Sequence, residues 1–140
     1  MNTEAWKMVQ QHFGYTDDEM ELFKADPKNA HILMKSPEFM SRTIVAEVKA
    51  SHGCNSQHKV GDKIYLDSAG NLISSLCPKR MCVYAVSALQ PAVFAVGELI
   101  LAGVDPTEMR FNRTGCFDVG VQCGGWGRVV MEVRVEQRKS

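Results

Sequence analysis

Neither sign of charge predominates in this 140-residue chain: Lys and Arg number 16, and so do Asp and Glu. Without a net field, sequence-independent attraction to nucleic acid or to an anionic membrane is not expected. Long apolar runs are missing too. The most apolar stretch, 92–104, is interrupted by Glu98 and is too short to span a bilayer. The start, Met1-Asn2-Thr3-Glu4-Ala5-Trp6-Lys7, has no basic region followed by an apolar one, so no secretory signal is expected and the cytoplasm is the default location. No G-x-S-x-G, H-E-x-x-H or Walker pattern occurs, which disfavours a serine hydrolase, a zincin and a nucleotide hydrolase. There is no internal repeat, no low-complexity tract and no dividing linker. The length suits one compact domain with a real core.

What is present changes character near residue 41. Before it, residues 1–40 read as a helical extension. Trp6, Val9 and Phe13 fall on one helical face and Gly14 ends it. Thr16-Asp17-Asp18-Glu19 is a capping box, in which Thr16 and Glu19 each satisfy the other's free backbone donor, with Tyr15 and Met20 at staple positions. Asp26-Pro27 and Ser36-Pro37 both place a cap before a proline, predicting two further helix starts.

Residues 41–140 read as an α+β core. Residues 43–49 and 63–67 carry the β-branched, alternating pattern of strands, with 72–73 as a short third. Residues 117–121 and 128–136 supply two more. In the last, Val129, Met131, Val133 and Val135 face one way and Arg128, Glu132 and Arg134 the other. Pro78 opens a long helical region, and Pro91 imposes a kink or restart because it lacks a backbone donor. Residues 92–102 are apolar nearly all round, the mark of a buried helix. Gly103 stops it, and Asp105-Pro106-Thr107-Glu108 predicts one more turn. The expected fold is therefore α+β: short N-terminal helices, and a small, mostly antiparallel sheet packed on a long, apolar, Pro-kinked helix.

Five cysteines, an odd number, in a chain expected to stay in a reducing compartment point to thiols or metal ligands rather than a disulfide framework. They run as Cys54-x3-His58, Cys77-x4-Cys82 and Cys116-x6-Cys123. Most fall in loops or at element ends, where distant segments converge. Thiolate and imidazole suit zinc, and thiolates alone suit an iron–sulfur cluster. A helix N-terminus beside Cys77 and Cys82 would favour the thiolate. None of the spacings is the tight C-x2-C pair, and a buried cysteine is also an ordinary small hydrophobe.

Other residues extend the list. His52 neighbours His58 and reads as solvated or supporting. Glu98 is a general acid or base if buried, and a solvated helix edge if exposed. Asp62 and Asp118 stand beside the cysteine loops, with Asp118 a second proton-transfer candidate. Arg110 and Arg113 precede Cys116; Arg113 is the anion-binding candidate, although surface ion pairs explain both arginines equally. Gly124-Gly125-Trp126-Gly127 reads as a tight hairpin connection or as a ligand-approach loop with Trp126 as its lid.

The run Gly53-Cys54-x3-His58-Lys59-Val60-Gly61-Asp62, followed by Cys77-Pro78, Cys82 and Cys116-x-Asp118, resembles a family of small bacterial proteins of unknown function. The resemblance covers roughly residues 43–134. It implies that Cys54, His58, Cys77, Cys82, Cys116 and Asp118 belong together, while the segment from Cys123 to Gly127 departs from the shorter family pattern. Three functional expectations follow. The first is a small metal-binding protein or accessory subunit with zinc or an iron–sulfur centre, ligated from among Cys54, His58, Cys77, Cys82, Cys116 and Cys123. The second is an enzyme using a metal-bound water or a thiolate on a small anionic substrate, in a closed pocket joining the cysteine loops to Trp126. The third is a structural or partner-binding module with free thiols and an exposed apolar helix. A homo-oligomer or a place in a larger enzyme complex fits the near-zero charge, with neither nucleic acid nor membrane as partner.

Overall fold

Strict alternation over residues 128–136 produces the central feature of the structure. In the computed structural model, which describes residues 3–138, strand β4 (Arg128–Gln137) pairs antiparallel with the long strand β1 (Arg42–His52). β1 also pairs antiparallel with β2 (Lys63–Asp67), and β4 with β3 (Arg113–Gly115), so the sheet order is β2-β1-β4-β3. Ile44, Ala46 and Val48 from β1 and Val129, Met131 and Val133 from β4 line one core. The opposite face carries an ion-pair set in which Arg134 reaches Glu47 at 2.9 Å and Glu136 at 3.0 Å. A register shift between Val48 and Ala50 inserts one residue into β1. Beyond this bulge the strand pairs on to His52, opposite Arg128, and delivers the chain into the Cys54 loop.

Two helices cover this core face. α4 (Val83–Ala88) contributes Ala85, α5 (Gln90–Leu101) contributes Val96 and Ile100, and Leu89 between them is almost fully buried. The Thr114 hydroxyl donates to the Ala88 carbonyl at 2.8 Å, tying β3 to α4. Asp105 accepts from the Thr107 backbone and caps a single 3-10 turn, Pro106–Glu108.

The chain divides into two units, Met1–Pro37 and Glu38–Ser140. The first holds α1 (Thr3–Phe13), α2 (Asp17–Ala25) and most of α3 (Pro27–Met40), with Val9 and Met20 buried. The capping box forms as expected: Thr16 N–H donates to Glu19 at 2.8 Å and Glu19 N–H to the Thr16 hydroxyl at 3.2 Å. The expected second start at Ser36-Pro37 is absent, because Pro37 lies inside α3.

Other expectations need correction. In place of one long kinked helix there are two, broken at Leu89, with Pro91 in the first turn of α5 where its missing donor is harmless. Residues 78–82 precede the helices in irregular structure. α5 is not fully buried: Val96, Gly97 and Ile100 are, whereas Pro91, Phe94 and Glu98 face outward, with Phe94 68% exposed. Residues 72–73 make only an isolated bridge, Leu72 to Leu66, and residues 117–120 form no strand. Among the described residues no helix is long and apolar enough to cross a membrane.

Candidate functional site

Four of the cysteines border one region. Cys54, Cys77, Cys82 and Cys116 all pack against the hydrophobic core beneath the sheet, all five cysteines are free thiols, and Cys123 is exposed in a one-turn 3-10 helix, Val121–Cys123. Bordering the same core is weaker than sharing a metal. Among the described residues, no three His, Cys, Asp or Glu side chains gather so as to hold an ion. Of the six candidate ligands, four thus share one core, while Cys123 stands apart in solvent.

Two of these sulfurs are engaged by backbone. Cys77 Sγ accepts the Tyr65 N–H at 3.3 Å and its thiol donates to the Tyr65 carbonyl at 3.4 Å. The thiol satisfies both groups of a β2 residue. Cys116 Sγ accepts the Val129 N–H at 3.4 Å while its thiol donates to the Asp118 carbonyl at 3.7 Å. Each sulfur therefore closes a loop onto a strand, which a small polarizable side chain does well at a buried edge.

Cys82 differs from both. It is the residue before α4, with extended backbone, and its N–H donates to Nε2 of His58 at 3.3 Å. His58 is 5% exposed and belongs to the loop after β1; Ser51 donates its hydroxyl to the His58 carbonyl at 2.5 Å. In this bond Nε2 of His58 is the acceptor. Burial by itself raises the Cys82 thiol pKa, but the Ala85 backbone, the Ser56 side chain and the Tyr84 backbone act against it. The net effect lowers it. This corner assembles Ser56 and His58 from one loop with Cys82 from another.

The Cys54 loop leans on the loop between β3 and β4. Gly53, at φ +67, leaves room for the Trp126 carbonyl, which a Cβ there would meet at 2.8 Å, and a Cβ on Gly127 would run into the Gly53 carbonyl. Asp118 builds this second loop from within. Its carboxylate accepts the N–H groups of Gly120, Trp126 and Gly127, each at 2.9 Å. Those donors, Gly127 foremost, hold the Asp118 carboxyl below its ordinary pKa. Its oxygens are thus engaged in architecture, not poised for proton transfer. The result is the connection between the antiparallel strands β3 and β4. It is a loop folded around one side chain, with Trp126 75% exposed on its rim.

The remaining candidates lie elsewhere. Glu98 is exposed on α5, the outcome expected of a solvated helix edge. Arg113 donates to Glu132 across β3 and β4 at 2.9 Å, and Arg110 stacks over Phe111 at 4.8 Å. Asp62 accepts from the Lys59 N–H at 3.0 Å and pairs with its ammonium at 3.2 Å; these contacts, the backbone bond foremost, lower its pKa, and His58 adds to the effect. His52 is the exposed last residue of β1. The groove beside Trp126 is lined by Tyr84, Phe117, Asp118, Val119 and Gly124 to Trp126, without any cysteine or arginine. The closed pocket expected to join the thiols, Arg113 and Trp126 is therefore replaced by two separate features, a thiol corner and an open aromatic groove. Sequence reading missed Ser56 and Tyr84. Tyr84 was legible only as a helical apolar position, and nothing in the pattern marked Ser56.

No family model, curated protein or solved structure matches the chain.

Proposed function

We infer that the chain acts through the Cys82 thiolate, as a thiol-dependent protein whose reactive sulfur is poised by Ser56 and positioned by His58. The observation that carries this reading is the contrast among the half-buried cysteines. Cys77 and Cys116 spend their sulfurs on strand backbone, whereas Cys82 faces three donors that favour its charged form. His58 is a positioning residue: its Nε2 accepts the Cys82 backbone N–H and so fixes where the sulfur points.

Alkylation by iodoacetamide, followed residue by residue with mass spectrometry from pH 5 to 10, tests this. Cys82 should react with a midpoint below that of an ordinary thiol, ahead of the more exposed Cys123. Cys82→Ser should remove the low-pH phase, and Ser56→Ala should shift it upward. If Cys82 reacts only at alkaline pH, the thiolate reading is wrong.

Metal binding is the competing reading, supported by the N–H···S bonds to Cys77 and Cys116, since backbone donors also stabilise metal-bound thiolates. It requires the loops to draw together around the ion. Elemental analysis of anaerobically purified protein separates the two. Stoichiometric zinc or iron favours the metal, and less than about a tenth of an equivalent removes it.

A further inference from the structure

The groove beside Trp126 has a construction that the thiol corner does not explain. Three aromatic side chains stand in solvent at one place: Tyr84 is 58% exposed, Phe117 80% and Trp126 75%. Large rings left open on a small protein mark contact sites. Tyr84 and Phe117 stack on each other, with centroids 5.6 Å apart and planes 29° from parallel. Trp126, across the groove, makes no ring contact among the described residues and so leaves its face unused. Gly124 and Gly125 floor a space of about 530 Å³ between them.

The backbone that carries Trp126 is held in place. Trp126 and Gly127 hang by their N–H groups from Asp118, Gly125 N–H donates to the Gly120 carbonyl at 2.7 Å, and a Cβ on Gly125 would strike the Asp118 carboxylate. Exposed rings on a fixed frame are presented to something.

The electrostatics select the ligand. Aromatic faces are negative, Asp118 adds a full negative charge to the groove wall, and no Lys or Arg lines the space. Asp118 forms no ion pair among the described residues; its partners are three backbone donors. Arg128, whose Cβ approaches Gly120, makes no ion pair with it and lies outside the groove. An anion or a carboxylate-bearing peptide would meet repulsion here. A hydrated primary ammonium would seek oxygen acceptors, which backbone donors already occupy. A methylated ammonium needs none, because its charge is spread over methyl groups that pack on ring faces.

From this arrangement we propose that the Tyr84–Phe117–Trp126 groove is a binding site for a quaternary ammonium group. The occupant is a small organic cation of the choline type, held by ring faces with Asp118 as its counter-charge. The site stands independently of the thiolate reading.

The test pairs choline with 3,3-dimethyl-1-butanol, its uncharged isostere. Replacing Trp6 by Phe leaves Trp126 as the sole tryptophan and its fluorescence as the readout. Choline should quench it saturably, and the neutral alcohol should bind at least tenfold more weakly. Saturation-transfer NMR of the choline methyls on the unsubstituted chain gives the same comparison if Trp6→Phe fails to fold. Trp126→Leu and Phe117→Leu should each weaken choline tenfold or more, while Cys82→Ser should leave its affinity unchanged. Equal binding of the two isosteres, preference for indole over choline, or no saturable choline signal overturns the proposal.

Discussion

The middle of the β1–β4 ladder and the loops at its end are built on opposite terms. In the ladder, Ile44, Ala46 and Met131 are sealed from solvent and backbone groups satisfy one another. In the loops, side chains satisfy backbone: Cys77 serves Tyr65, Cys116 serves Val129, and Asp118 serves three residues at once. The difference separates stability from presentation. Apolar burial in the ladder holds the fold, while the loops spend polar side chains on fixing a shape that leaves rings and one thiol available.

Substitutions sharpen that contrast. Met131→Ala should be the most damaging, with a loss of about 2–5 kcal/mol in denaturant unfolding, because Met131 is fully buried in the core and its removal leaves a cavity. A loss under about 1 kcal/mol would show that the ladder is not the stabilising region. Gly127→Ala comes next, at roughly 1–3 kcal/mol, since its Cβ meets the Gly53 carbonyl and backbone must yield. It should also dislodge the Cys54 loop and raise the alkylation rate of Cys54. Asp118→Asn should have the smallest global effect yet the clearest pH signature. The native Asp118 carboxyl has a depressed pKa, so its contribution is complete above the unfolded value of about 3.9 and is lost as pH falls through the lower native value. The loops of the wild type and of the Asp118→Asn variant should therefore differ most near neutrality and converge in acid, read by proteolysis between Phe117 and Trp126. A difference that persists unchanged at pH 2 would mean the ionised carboxylate is not what closes the loop.

Legibility in the sequence follows the same division. β4 was readable from its alternation, and β2 from the alternation of Ile64 and Leu66 with polar neighbours. The capping box and the Asp105 turn were readable because each is complete within four residues. Residues 117–121 read as a strand, but Asp118 captures the Gly120 N–H and residues 117–120 form no strand. Ser36-Pro37 carried a local start signal that α3 overrode by continuing through it. The cysteine pattern picked out four residues that the structure places against one core. It gave no access to what each sulfur faces, because Cys77 meets Tyr65 and Cys82 meets His58 only through packing between distant segments.

Asp118 has a consequence for how the molecule can change. A loop suspended from one carboxylate does not borrow its shape from the strands it connects. Val121, Gln122 and Cys123 point into solvent between the anchor and its last two acceptor-bound residues, and only the Gly120 and Gly125 turns must keep their form. The same scaffold can therefore carry different side chains on that arch, much as a frame takes a new canvas, with no repacking beneath it.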